Sequence, residues 1–180
     1  RDRSCDAADP GHYVDISSGI GQSTQTACNA GTFNPNTGST SSTDCVGADA
    51  GHYVDPSLGT GQFTQTACLA GTYNPSTGST TSTDCISASP GYYVDISLGT
   101  GQSSQTACLA GTYNPSTGST TSTDCLVADP GHYVDSRLAT AQSSQTACAV
   151  GTYNPSTGST RPTDCLVADP GHYVDQPGQS

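Results

Sequence analysis

The chain contains no Trp, no Met, no Lys and no Glu among its 180 residues. Large apolar residues are also scarce, since Val, Ile, Leu and Phe together number 22. A chain with so little apolar surface and a high net charge, here −11, ordinarily stays disordered unless something other than a core holds it together. The composition therefore excludes a conventional hydrophobic interior.

The shortage of basic residues and of apolar runs excludes two classes of partner. Four Arg stand against 15 Asp, whereas nucleic acids and anionic lipids are bound by patches of Lys and Arg. No apolar run approaches the roughly 20 residues of a membrane-spanning helix. We therefore expect no nucleic-acid partner and no membrane span.

What the chain does contain is nine regularly spaced cysteines. Small units that cannot bury enough apolar surface are commonly held together by disulfides. Disulfides form and persist outside the reducing cytosol. The cysteine content therefore predicts an extracellular or cell-surface location.

The cysteines belong to a unit of 40 residues that recurs along the whole chain. The stretch Cys108–Cys125, with an Asn-Pro-x-Thr-Gly turn at its centre, has counterparts at 28–45, 68–85 and 148–165. Self-similarity at a fixed period of this size indicates a stacked array of small units. The expected divisions are residues 1–4 as the tail of a preceding repeat, residues 5–44, 45–84, 85–124 and 125–164 as repeats 1 to 4, and residues 165–180 as a partial fifth repeat.

Each repeat divides into two halves, because the cysteine intervals alternate between 23 and 17 residues. In the short half, Ala110–Asn114 and Ser119–Asp124 are predicted to form a hairpin around the Asn-Pro-Ser-Thr-Gly turn. The long half is predicted to contain strands at His132–Asp135 and Gln142–Ala147. Gly, Pro, Ser and Thr dominate and no 3.6-residue apolar period is present, so no helix is expected. The predicted fold is all-β, small and disulfide-rich: an elongated rod of tandem 40-residue repeats with two short β-hairpins each.

One aromatic residue stands two positions after a glycine in each half-repeat. Rings at this spacing would form a thin packing spine over the disulfides, because no other large apolar side chain recurs so regularly. Smaller aliphatics such as Leu109, Leu126 and Val134 are expected to fill in around it. The predicted spine residues are Tyr13, Phe33, Tyr53, Tyr73, Tyr93, Tyr113, Tyr133, Tyr153 and Tyr173.

The spacing leaves two cysteine pairings open, one across the 17-residue interval and one across the 23-residue interval. The motif Cys-Leu-Ala-Gly-Thr-Tyr at 108–113 resembles the cysteine-rich repeats of ephrin receptors and tumour necrosis factor receptors, here in a tandem array like that of prokaryotic surface proteins. Those repeats run Cys-x-x-Cys-x-x-Gly-x-Tyr. In them, the cysteine before Gly-x-Tyr bonds to the cysteine that closes the same hairpin.

The resemblance implies disulfides within the short halves and none within the long halves. Ala128 stands where the family has the opening cysteine of the long half, and Gln145 stands three residues before Cys148. Both partners of a second bond are therefore missing. Cys5 is left unpaired, or paired with a cysteine outside this chain. The implied pairs are Cys28–Cys45, Cys68–Cys85, Cys108–Cys125 and Cys148–Cys165.

Two sets of repeated side chains invite a metal-binding interpretation. Histidines recur at the 40-residue period, but Tyr92 takes that position in the third repeat, a change that a ligand set would not survive. The aspartates lack the Asp-x-Asp-x-Asp-Gly order of a calcium loop and are interpreted as turn and strand caps. The sequence therefore predicts no metal and no cofactor. If calcium did bind, its ligands would be the aspartates present in all five copies, Asp15, Asp55, Asp95, Asp135 and Asp175.

The runs that follow the central turn are dense in hydroxyl groups. Two interpretations of these runs stand side by side. Threonine suits β-strands, and hydroxyl-rich runs in a secreted array are also candidates for O-glycosylation. The candidate acceptors are Thr40, Thr43, Thr80, Thr83, Thr120, Thr123, Thr160 and Thr163.

The monotony of the repeats bears on function. No nucleophile with a base and no carboxylate pair is unique to one repeat, so the chain is not expected to be an enzyme. We expect a structural extracellular protein that forms a surface stalk, fibre or filament, assembled end to end with neighbouring copies, with glycans as further partners. The alternative is a ligand-binding receptor or adhesin ectodomain, as the resemblance implies. Such a site would use departures from the repeat, of which Phe63 and Arg137 are examples.

Overall fold

The computed structural model describes residues 6–19, 21–138 and 140–180. Regular structure in these residues consists of two-residue β-strands and three-residue 3₁₀ helices. The strands are β1 (His12–Tyr13), β2 (Thr26–Ala27), β3 (His52–Tyr53), β4 (Thr66–Ala67), β5 (Thr72–Tyr73), β6 (Ile86–Ser87), β7 (Tyr92–Tyr93), β8 (Thr106–Ala107), β9 (His132–Tyr133), β10 (Thr146–Ala147), β11 (Thr152–Tyr153) and β12 (Leu166–Val167). The 3₁₀ helices span Ile16–Ser18, Ser42–Asp44, Pro56–Leu58, Ser82–Asp84, Ile96–Leu98, Ser122–Asp124 and Pro162–Asp164.

Within the described ranges the strands pair into six two-stranded antiparallel sheets. The long halves contain the pairs β1–β2, β3–β4, β7–β8 and β9–β10, and in each pair the first residue of one strand faces an alanine of the other. The short halves contain β5–β6 and β11–β12, while single bridges from Phe33 to Val46 and from Tyr113 to Leu126 take their place in the first and third repeats. No α-helix occurs in this part of the chain. The predicted small, disulfide-rich β fold with a period of about 40 residues is confirmed, with short 3₁₀ helices in addition to the predicted strands.

The second part of the short half differs from the predicted strand. The last three residues of the predicted strand Ser119–Asp124 form a 3₁₀ helix, so that prediction is wrong. The Asp124 carboxylate accepts hydrogen bonds from two backbone N–H groups of its own turn, 2.8 and 3.0 Å away. Such local caps compete with a strand ladder for the same backbone groups. The hairpin closes later, where Tyr113 and Leu126 exchange backbone hydrogen bonds of 2.9 and 2.7 Å.

The described residues form two compact units. One contains the described residues up to Ile86 together with Gly99–Ser104, and the other contains Ser87–Leu98 and Gln105–Ser180. The short segment Gly99–Ser104 belongs to the first unit because Gly101 within it donates a 2.9 Å hydrogen bond to the Cys68 carbonyl. The division into compact units therefore does not follow the boundaries of the sequence repeats.

Within each unit, a dipeptide ending in glutamine docks on the preceding repeat. Gly61 donates its N–H to the Cys28 carbonyl at 2.9 Å, and Asn34 donates its N–H to the Gln62 carbonyl at 3.1 Å. Phe33 consequently lies between its own hairpin partner and Gln62, which runs parallel to it. We call these segments the docking dipeptides: Gly61–Gln62, Gly101–Gln102, Ala141–Gln142 and Gly178–Gln179.

The interior is built from small side chains more than from rings. Of the predicted spine, Phe33 and Tyr113 are buried, Tyr173 is 83% exposed, and the other six are half-buried. Leu109 and Leu126 are exposed, so the expectation that they fill in around the rings is wrong. The largest fully buried side chains are Val54, Val94, Val134, Asn34, Asn74, Asn114, Asn154, Cys28, Cys68, Cys108 and Cys148. The aliphatic residues among them are valines.

Glycine before each long-half strand permits a close approach of the docking dipeptide. Gly131 has a φ of +81°, and a Cβ atom at that position would overlap the backbone carbonyl of Gly178. The same contact pairs Gly11 with Gly61, Gly51 with Gly101, and Gly91 with Ala141. Glycine meets both demands at once, since it tolerates positive φ and leaves space for the docking dipeptide.

Gly131→Ala is expected to lower the free energy of unfolding more than Gly151→Ala. Both glycines have positive φ, +81° and +85°, so both alanines carry a similar backbone strain. Only the alanine at 131 also overlaps the Gly178 carbonyl, because a Cβ atom at position 151 would meet no other atom within 4 Å. Overpacking of this kind costs about 1–3 kcal/mol. Chemical denaturation measures the difference, and equal losses in the two variants would contradict the docking contact.

Candidate functional site

The four disulfides lie at the docking contacts. Each closes a short half across 17 residues, with its Cα atoms 5.6 or 5.7 Å apart. The bonded pairs are Cys28–Cys45, Cys68–Cys85, Cys108–Cys125 and Cys148–Cys165. These are the pairs that the resemblance implies. Cys5 lies outside the described residues.

The first cysteine of each pair connects three parts of the structure. Cys28 is fully buried. Its N–H donates to the Gly11 carbonyl at 2.8 Å, and its own carbonyl accepts from the Gly61 N–H at 2.9 Å. Its sulfur is bonded to the half-buried Cys45. The long half, the docking dipeptide and the end of the hairpin thus meet at one residue. The same backbone contacts recur at Cys68, Cys108 and Cys148.

A buried asparagine holds the central turn against the long half. The Asn34 Nδ2 group donates to the His12 carbonyl at 3.2 Å and to Ser39 Oγ at 2.7 Å. Its Oδ1 atom accepts from the Asn36 N–H at 3.1 Å, and its backbone carbonyl accepts from the Gly11 N–H at 2.7 Å. A polar side chain with no exposed surface is tolerated because its hydrogen-bonding groups are satisfied. Equally buried equivalents are Asn74, Asn114 and Asn154.

In the long half, which lacks a disulfide, hydrogen bonds join the glutamine near its end to the aspartate near its start. Gln145 Oε1 accepts from the Asp129 N–H at 2.8 Å, and Gln145 Nε2 donates to Asp129 Oδ2 at 2.7 Å. Ala128, at a position where the receptor repeats have a cysteine, is fully buried. The pairs Gln25–Asp9 and Gln65–Asp49 make the same two bonds. A pair of hydrogen bonds therefore closes the loop that has no disulfide.

Three of the four repeated histidines lie at the docking contacts. Nδ1 of each ring is 3.1–3.3 Å from the carbonyl oxygen two residues earlier, and the ring edge lies against the docking glycine. The histidines with these contacts are His12, His52 and His132. In the third repeat Tyr92 replaces the histidine, and the docking residue is Ala141 instead of glycine, with a φ of +69°. Both sides of this contact therefore differ from the others.

The repeated aspartates act as caps of 3₁₀ helices. Asp15 and Asp55 accept hydrogen bonds from the N–H groups of Ser17 and Ser57 at 2.9 and 2.8 Å. Hydrogen bonds from the side chain and the backbone of these serines lower the pKa of both carboxyls. Asp175 instead accepts from the Gln179 side chain at 3.3 Å. Among the described residues, no group of three or more His, Cys, Asp or Glu side chains is placed to hold a metal ion.

The cap of the fourth repeat includes an ion pair. Arg137 donates from Nε and Nη2 to the two carboxylate oxygens of Asp135, at 3.0 and 2.8 Å. The side-chain and backbone hydrogen bonds from Arg137 lower the pKa of Asp135 to about 2. This carboxylate therefore stays ionised in more acidic solution than an ordinary aspartate does.

The threonines named as candidate acceptors have different surroundings. Thr80 and Thr160 are half-buried, with their methyl groups against Gly31 and Gly111. The hydroxyls of Thr43, Thr83 and Thr123 form hydrogen bonds of 2.6–2.8 Å with the hydroxyl two residues earlier. Thr40 and Thr163 are exposed, and Thr120 is half-buried. In the third repeat this region borders a shallow groove of about 420 Å³, lined by residues 114–120, Thr123, Asp124 and Leu126.

Sequence reasoning missed two parts of the docking contact. The Asn-Pro-x-Thr-Gly motif predicts a turn but does not predict that its asparagine is buried. The sequence predicts no role for the docking dipeptide, although Gly-Gln or Ala-Gln stands in every copy. Recurrence of a dipeptide inside a loop was the signal that could have identified it.

Comparisons with known proteins add no relative. No model of a known protein family matches the chain, and no curated protein matches it. The resemblance to ephrin-receptor and tumour necrosis factor receptor repeats therefore rests on the cysteine motif alone. In the described residues, no helix is long and apolar enough to cross a membrane.

Asn34→Asp is expected to lower the free energy of unfolding by about 1–3 kcal/mol, because it removes a buried donor from two acceptors. Asn36→Asp makes the same chemical change two residues away at an exposed position and should have an effect within about 0.5 kcal/mol. Chemical denaturation of the two variants provides the comparison. Similar losses in both would show that the buried asparagine does not hold the turn.

Arg137→Ser places at this position the residue found at Ser17, Ser57 and Ser97. The pKa of Asp135 should rise from about 2 but remain below 3.8, since a serine still donates to this cap. A carboxyl with a depressed folded pKa stabilises the fold above its unfolded pKa, and this contribution is lost as pH falls through the folded value. As pH falls, the variant should therefore lose the stabilising contribution of Asp135 at a higher pH than the original chain does. A carbon-13 NMR titration of the Asp135 carboxyl, with Asp55 as internal control, would refute the ion pair if its pKa did not move.

Proposed function

We propose that the chain is a structural part of an extracellular tandem-repeat protein that forms a surface stalk, fibre or filament. The observation that carries this proposal is the recurrence of one docking contact within both units. Each docking dipeptide binds the cysteine and the asparagine of the preceding repeat. Because the contact uses backbone groups and recurs with the repeat, an array of any length can be built with it.

The four disulfides support an extracellular location. Each joins the cysteine at a docking contact to the end of its hairpin. A reducing compartment would open these bonds, whereas an oxidising one maintains them. The proposed role therefore suits the cell surface or the medium outside the cell.

The uniformity of the repeats supports a structural role more than the role of a specialised receptor. A receptor site uses side chains that differ from the rest of the surface. The departures Phe63, which is 57% exposed, and Arg137 lie one in each compact unit. The proposed role is mechanical and spatial, and it requires no catalysis.

Assembly with neighbouring copies is part of the proposal. Gly21–Gln22 has the sequence of a docking dipeptide and is exposed, whereas Gln62, Gln102 and Gln142 are half-buried. Its backbone groups can make the same contact with another repeat of this kind. In the proposed assembly, that repeat belongs to a neighbouring copy.

Cryo-electron microscopy of the native secreted material tests this function. We expect long, uniform filaments that disappear after reduction and alkylation of the cysteines. Short discrete particles would contradict the proposal, and particles with a bound ligand would favour the receptor or adhesin alternative. The alkylated but unreduced sample is the control, because it keeps the disulfides.

A further inference from the structure

We propose that the central turn of each repeat carries an O-linked saccharide on its threonine. The four acceptors, called the turn threonines below, are Thr37, Thr77, Thr117 and Thr157. They stand in the Asn-Pro-x-Thr-Gly motif and differ from the eight threonines of the following runs. The inference rests on the proposed extracellular function and adds to it the position and chemistry of a modification.

The turn threonines expose a hydroxyl that the fold does not use. All four are exposed, and within the described ranges none of their side chains forms a hydrogen bond. In contrast, Thr112 donates its hydroxyl to the Leu109 carbonyl at 2.7 Å, and Thr123 shares a 2.6 Å bond with Thr121. A glycosyl acceptor must present its oxygen to a transferase, and the turn threonines meet this requirement in every repeat.

Formation of the turn does not explain the threonine. Asn114 Oδ1 accepts from the Ser116 N–H at 3.0 Å, while Gly118 has a φ of +71° and donates its N–H to the Ala88 carbonyl at 2.7 Å. Turns favour Gly, Pro, Asn, Asp and Ser, whereas β-branched residues favour strands. The position before the threonine changes from Ser to Asn36 in the first repeat, but the threonine stands in all four copies. Its hydroxyl therefore recurs without a role in the fold.

A groove beside the turn matches the chemistry of a sugar ring. In the third repeat it measures about 420 Å³. Its lining includes the hydroxyl-bearing residues Ser116, Thr117 and Thr120, the acidic residue Asp124 and the apolar residue Leu126, which is 45% exposed. A sugar ring carries hydroxyls at its edge and C–H groups on its face. Thr117 is itself one of the lining residues, so a saccharide attached to it begins beside residues of both kinds.

Attachment is a glycosyl transfer that needs an activated sugar and a transferase from the producing cell. The threonine Oγ1 atom attacks the anomeric carbon of a nucleotide-activated or lipid-diphosphate-activated sugar. The bond from that carbon to the phosphate oxygen breaks, and the phosphate-bearing group leaves. The hydroxyl proton passes to a base of the transferase, and nothing is oxidised or reduced. Acceptors at every 40 residues would give the proposed fibre an evenly spaced, hydrated coat.

Glycopeptide mapping of the native chain by electron-transfer mass spectrometry tests the proposal. We expect a saccharide mass on each of the four turn threonines. Turn peptides without added mass, or saccharides confined to other residues, would overturn it. Thr117→Val, produced in the native host, should lose one of four saccharides. Thr112→Val, whose hydroxyl is already engaged, should keep all four.

The groove assignment has its own measurement. NMR should detect contacts between protons of the first sugar and the methyl groups of Leu126. A saccharide on Thr117 without these contacts would overturn the groove assignment. The outcome is separable from that of the proposed function. Filaments without saccharides contradict this inference alone, and saccharides on a chain that forms no filaments contradict the structural role alone.

Discussion

The buried half-cystine at the start of each short half is the constraint on which the rest of the structure depends. At Cys108 the sulfur bonds to Cys125, the N–H binds the Gly91 carbonyl, and the carbonyl binds the Ala141 N–H. In the chain-entropy model, a disulfide that closes a loop of this length stabilises the folded state by about 3 kcal/mol. The cross-link acts where hairpin, long half and docking dipeptide meet, so one bond orders all three.

Small residues make this arrangement work and connect it to the proposed function. Glycines such as Gly51 and Gly131 let the backbone of a docking dipeptide approach directly, and asparagines such as Asn74 satisfy the polar groups thereby buried. Affinity between successive repeats consequently comes from backbone hydrogen bonds, which depend little on side-chain identity. The surface is then free to carry hydroxyls and aspartates at each repeat. A contact of this kind suits a material built by repetition.

Much of the fold could be predicted from the sequence, because periodicity and cysteine spacing extend over the whole chain and can be read from one sequence. They indicated the repeat, the hairpins and the oxidising environment, and the family motif implied the pairing of Cys108 with Cys125. The prediction of a second strand in the short half was wrong because Asp124 caps its own turn. Strand propensity takes no account of this local competition for backbone hydrogen bonds. The burial of Asn34 arises from its contact with His12, 22 residues away in the other half of the same repeat. The role of Gly61–Gln62 arises from contacts with the preceding repeat. Composition and local pattern carry no information about such partners.

Amide hydrogen exchange before and after disulfide reduction tests the central claim most directly. The informative amides are those of the docking residues Gly61, Gly101, Ala141 and Gly178, whose N–H groups bind the cysteine carbonyls. In the oxidised chain these amides should be protected, and reduction followed by alkylation should remove the protection in every repeat. Protection that persisted in the reduced chain would show that the docking contacts form without the cross-links, and would contradict the account.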